Sequence, residues 1–134
     1  MRAFFLIPDE VQLLDITGPA HLFYEAKEYG ADIETFYLAM DGNTQHRSSA
    51  GLALAQLKNF ADFSLGPDDF LFLPGQESYL FYKADYVKKY KTFLLWVKQQ
   101  YEQGAKVCSV CAGAYLLGFA GLLDGKACTA HWKY

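Results

Sequence analysis

The stretch "KVCSVCAGAYLLGFAGLL", residues 106–123, decides the fold. Its first half is a short run of strand-forming residues, "AKVCSV" with the preceding alanine, and its second half, "GAYLLGFAGLL", spaces apolar residues at the helical period with glycines between them. Cys111 is the single residue at the junction. A strand-to-helix corner this tight forces strained backbone angles at its apex and needs small side chains beside it, which Ala112 and Gly113 supply. That is the pattern of a nucleophile elbow, where a reactive atom stands clear of the sheet over the start of a helix. The unpaired amides and the positive dipole end there stabilise a thiolate. The same amides can cradle an oxyanion or a bound carboxylate. The competing reading is a cysteine used as a small buried hydrophobe. Cys108, inside the strand, is read that way.

Outward from this corner the chain alternates strands and helices. "RAFFLI" is a continuous apolar run stopped by Pro8, as expected of a strand buried on both faces. "DITGPAHLFYEAKEYG" reads as a loop followed by a helix, with Pro19 in the first turn and Gly30 at the end. "IETFYLAM" is a second strand, "HRSSAGLALAQ" a short strand pair broken at Gly51, and "DDFLFLPG" a further buried strand. "ADYVKKYKTFLLWVKQQYEQG" is expected to be one long amphipathic helix, with Tyr86, Tyr90, Phe93, Leu94 and Val97 on its apolar face. Such alternation implies βαβ units and a mostly parallel sheet covered on both faces. In those sheets chemistry collects at the carboxyl ends of the strands.

The 134 residues suit one domain, and with 52% hydrophobic and 20% charged residues the chain belongs to the globular class. A net charge of −3 provides no basic footprint, so no nucleic-acid contact is expected from this chain. The lysines at 83, 88, 89 and 91 read as a solvated helix face. No run is long enough for a membrane span or a signal-peptide core, and three cysteines, an odd number, suit free thiols in a reducing cytoplasm. Cys108 and Cys111 form C-x-x-C, and Cys128 and His131 form C-x-x-H, a spacing that resembles structural zinc sites. Against zinc, Ser109 and Val110 continue a strand instead of forming a turn, and alternation along that strand points the two thiols to opposite faces. No metal and no cofactor is therefore expected.

Taken together, "DITGPAHLF", "FLFLPG" and "VCSVCAGAYLLGFAGLLDGKACTAHW" resemble the ThiJ/PfpI superfamily, the cysteine-elbow branch of the class I glutamine amidotransferase-like fold. The resemblance runs from Arg2 to Trp132 and is strongest for the ligand-sensing N-terminal domains of AraC-type transcriptional regulators and for isonitrile hydratases. It implies an α/β, flavodoxin-like three-layer sandwich over residues 1–134, ending short of the family's length, with Cys111 as the elbow cysteine. Asp15 is then the carboxylic acid approaching from the loop after the first strand. Beside a thiolate it gains by keeping its proton, and so can act as general acid. Gly75 supplies an amide to the same pocket, Ala112 and Gly113 line it, His131 stands near the cysteine, and Thr129 organises the loop beside it. His21 and His46 match no functional position and read as surface residues. Protease-like members carry a histidine directly after the cysteine; Ala112 stands there instead, which argues against peptide hydrolysis. Two functions follow. One is a sensing domain that binds a small molecule; the other is a cysteine-dependent small-molecule enzyme of hydratase, deglycase or amidase type. A homodimer is expected, since an edge left uncovered favours pairing.

Overall fold

The computed structural model describes residues 1–130. In chain order the elements are β1 (Arg2–Leu6), α1 (Leu13–Glu28), β2 (Glu34–Ala39), β3 (Gln45–Arg47), β4 (Ala53–Ala55), β5 (Lys58–Asn59), β6 (Asp69–Leu73), α2 (Tyr86–Lys89), α3 (Lys91–Glu102), β7 (Lys106–Ser109) and α4 (Ala114–Phe119).

Five strands form one parallel sheet in the order β5-β2-β1-β6-β7. β5 is a two-residue addition outside β2; without it the order is that of a flavodoxin-like sheet. Alternation along β1 separates two cores. Phe4 and Leu6 join Leu71, Leu73, Phe93, Val97 and Leu116 beneath α3 and α4. Ala3, Phe5 and Ile7 join Ile16 and Ala20 beneath α1. Both sets are buried, which explains why the strand reads as an unbroken apolar run. Each fully buried Phe or Leu contributes about 1.5–3 kcal/mol. The result is the expected three-layer α/β sandwich. Its opposite end is tied by Arg2, whose Nε donates to Asp69 Oδ1 at 3.0 Å directly across the β1–β6 register.

The chain winds from β1 to β2 on one side and then to β6 and β7 on the other, so the direction reverses between β1 and β6. The segments following β1, β6 and β7 meet outside that switch point, where such sheets bind ligands.

Three local expectations need correction. Pro19 lies well inside α1, not in its first turn, because the helix already begins at Leu13. Its N-cap, Gln12, makes no side-chain capping bond, so the true start carries no Ser, Thr, Asp or Asn signature. The long helix after residue 85 breaks at Tyr90 (φ −103°, ψ 16°), which closes α2 and opens α3 at a buried aromatic pair, Tyr86–Tyr90, 4.9 Å between centroids. The last helix is shorter than its apolar run. A 3₁₀ turn, Cys111–Gly113, precedes α4, and a Schellman motif ends it. There the Leu122 amide donates to the Leu117 carbonyl and the Gly121 amide to the Gly118 carbonyl, each at 2.9 Å, with Gly121 at φ +72°. The strand pair around Gly51 is as expected: β3 and β4 run antiparallel, pairing His46 with Leu54.

Candidate functional site

Cys111 follows β7 with φ +53°, in the left-handed region that costs a residue bearing a Cβ about 1–2 kcal/mol. The corner is held from both sides. The Val110 amide donates to the Leu73 carbonyl at 2.9 Å, prolonging the β6–β7 ladder, and the Gly113 amide donates to the Val110 carbonyl at 2.9 Å. A Cβ on Gly113 would lie 1.9 Å from the Leu73 carbonyl oxygen, so only glycine fits where the turn crosses the end of β6. Cys111 itself is exposed, while Ala112 and Gly113 are buried. The Gly113 amide is thus engaged within the turn and is not open to a ligand.

Asp15 reaches this corner from the first turn of α1, not from a preceding loop. Its Oδ2 accepts the Gly75 amide at 2.9 Å, and the Gly75 carbonyl accepts the Gln12 amide at 3.0 Å. The Gly75 amide therefore positions the carboxylate; it does not face an open pocket. A Cβ on Gly75 would sit 2.8 Å from Asp15 Oδ2 and 3.3 Å from the Ala112 nitrogen, so this glycine lets three segments converge. Cys111, Ala112, Asp15, Gln12, Gln76 and Glu77 line one cavity of about 310 Å³ at the carboxyl ends of the strands.

Gln12, Gln76 and Glu77 escaped the sequence reading. Gln12 Nε2 donates to Glu77 Oε1 at 2.9 Å, and the Glu77 amide donates to the Glu10 carbonyl at 3.1 Å. Gln76 is buried, accepts the Tyr86 hydroxyl at 2.5 Å and donates to the Asp9 carbonyl at 3.2 Å. The available signal was positional: Gln76 and Glu77 directly follow the Pro-Gly that ends β6, at the switch point.

Other expected residues lie elsewhere. Thr129 and Cys128 line a separate apolar groove of about 390 Å³ with Tyr115, Phe119 and Leu123, and this groove shares no lining residue with the Cys111 cavity. His131 lies outside the described residues. Cys108 is half-buried, and burial pushes its thiol up despite the opposing charge of Lys106. His21 is exposed near Glu25, but His46 is not a surface residue. It is buried, with Nδ1 2.6 Å from the Ile7 carbonyl and Nε2 2.9 Å from the Asp41 carboxylate. Among the described residues no three His, Cys, Asp or Glu side chains are grouped to hold a metal ion, and no helix is long and apolar enough to cross a membrane.

Several known proteins are similar to this chain in sequence or fold. An uncharacterized protein in the cpoL 5' region of Streptomyces lividans is 34% identical over 140 residues, covering 99% of this chain and 89% of that protein. Isonitrile hydratase of Pseudomonas putida is 33% identical over 130 residues, covering 97% of this chain and 52% of the relative, so this chain spans about half of it. The HTH-type transcriptional regulator GbdR of Pseudomonas aeruginosa is 41% identical over 46 residues, 34% of this chain and 12% of the regulator. Among solved structures, an AraC family transcriptional regulator from Pseudomonas putida superposes with a TM-score of 0.75 at 21% identity, covering 98% of this chain and 67% of that one. The family model for DJ-1/PfpI matches residues 1–134. A match of that extent, on a chain whose own backbone folds into the parallel sandwich the family implies, settles the membership: the chain belongs to the DJ-1/PfpI family.

Proposed function

We propose that this domain binds a small molecule in the cavity shared by Cys111 and Asp15, and that it is the ligand-sensing part of an AraC-type transcriptional regulator. The supporting observation is the convergence itself: an exposed thiol on a strained corner and a carboxylate fixed by the Gly75 amide line one cavity at the switch point. The segment similar to GbdR supports the regulatory assignment. A bound ligand could bias a regulator only through differential contacts in two states, and the junction of three segments after β1, β6 and β7 is suited to that.

A second reading is enzymatic, favoured by 33% identity to isonitrile hydratase across 97% of this chain. There Cys111 is the elbow nucleophile. Its thiolate adds to the electrophilic carbon of a small substrate, forming a carbon–sulfur bond, and Asp15 delivers a proton to the atom that gains the electron pair. Water then attacks the same carbon, one of its protons passing to the product and the other back to the Asp15 carboxylate, as the carbon–sulfur bond breaks and the thiolate is regenerated.

Incubation with cyclohexyl isocyanide separates the readings. Formation of the N-substituted formamide, abolished by Cys111→Ser, establishes the enzyme. No turnover, together with ligand-dependent protection of Cys111 from alkylation, establishes the binding domain. Neither turnover nor protection by any member of a small-molecule panel rejects both.

A further inference from the structure

The Cys111 cavity has a charge as well as a shape. Among the described residues of its lining, Asp15 and Glu77 are acidic and none is lysine or arginine. Lys83 and Lys89 line the adjacent cavity instead, together with Asp9, Glu10 and Asp85. Glu77 is also fixed in place. The Gln12 side-chain amide holds Oε1 at 2.9 Å, its own backbone amide is bonded to Glu10, and a bridge between Val11 and Gln76 joins the two segments. These contacts hold the backbone of Glu77 in place and favour its carboxylate staying at the pocket wall beside Gln12. A concave site with one sign of charge on low-dielectric walls concentrates ligands of the opposite sign.

We infer that Glu77 is the specificity-determining residue of this pocket: it admits neutral and cationic small molecules and turns away carboxylates and phosphates. The inference rests on the Cys111–Asp15 pocket proposed above and narrows its ligand class. Two amides beside the elbow are already taken up, that of Gly75 by the Asp15 carboxyl group and that of Gly113 by the Val110 carbonyl, and neither is open to an anionic ligand.

The test uses methanethiosulfonate reagents carrying a trimethylammonium, a neutral methyl or a sulfonate group, with modification rates resolved by peptide mass spectrometry. Cys128 is the reference within the same sample, because its groove has no charged residue among those described, and its use cancels intrinsic reagent reactivity. At low salt the cation-to-anion rate ratio at Cys111 is expected to exceed that at Cys128 by about tenfold. Salt of about 0.5 M should remove most of that excess, and Glu77→Gln should cut it about threefold or more at low salt. Equal ratios at the two cysteines, an excess insensitive to salt, or a folded Glu77→Gln protein with an unchanged excess each overturns the inference while leaving the pocket intact. Failure of even the neutral reagent to modify Cys111 overturns the pocket and the inference together.

Discussion

At the scale of single residues, the corner is held by two contrasting backbone demands. Cys111 tolerates φ +53° at a cost, whereas Gly113 has no alternative because any side chain would enter the Leu73 carbonyl. Replacing Cys111 by Gly should therefore raise stability over Cys111→Ala by about 0.5–1 kcal/mol in urea denaturation, since relief of the left-handed strain outweighs the entropy of the freer unfolded chain. Gly113→Ala should lose about 3 kcal/mol or more, or fail to fold, because the obstacle is backbone and cannot rotate away. The need for small residues after Cys111 was legible from the tight spacing of strand and helix. The separate tasks of Ala112, Gly113 and Gly75 were not, because they depend on which carbonyls and carboxylates lie across the turn. The same blindness covers His46: nothing in "TQHRS" announces that the hairpin folds this ring against the end of β1.

At the scale of elements, strands were easier to read than helix limits. "RAFFLI" is buried on both faces from Ala3 to Ile7, and "DFLFL" buries Leu71 and Leu73 on one face and half-buries Phe70 and Phe72 on the other, so both runs are apolar without a break. α1 misled because it begins without a capping side chain and continues through Pro19, and the long helix misled because its apolar period survives the break at Tyr90. The opposite end of the sheet supplies a prediction of pH dependence. Partial burial opposes ionisation of Asp69, but the Arg2 guanidinium and the Gly66 amide outweigh it and hold the carboxyl below the ordinary carboxylate range. A lowered folded-state value means the contribution is complete above the unfolded value of about 3.9 and is lost as pH falls below it. Asp69→Asn should cost about 1–2 kcal/mol at neutral pH, and its deficit against the parent protein should shrink toward zero in denaturation below about pH 4.

At the scale of the whole molecule, the site is a product of strand order. Gln12 and Asp15 follow β1, Gln76 and Glu77 follow β6, and Cys111 follows β7, so residues distant in sequence meet because the winding reverses between β1 and β6. Sequence could offer Cys111 and Asp15 as candidates at the strand ends, and the two do line one cavity; it could not show which side chains complete the wall. Among the described residues β7 lies at the edge of the sheet, and on the α1 side Phe70, Phe72 and Cys108 remain half-buried. A second copy covering this region is our proposal for the dimer. Sedimentation at micromolar concentration should then report about twice the 15.1 kDa chain mass, and a monomer at that concentration would refute the pairing. The most direct test of the account as a whole is the rate of iodoacetamide modification, resolved by cysteine, in the parent protein and in Asp15→Asn. Cys111 should react at least about tenfold faster than half-buried Cys108, and Asp15→Asn should change the Cys111 rate while leaving Cys128 unaffected. A Cys111 no more reactive than Cys108, or one indifferent to the loss of the Asp15 carboxylate, would contradict the claim that thiol and carboxylate form one site.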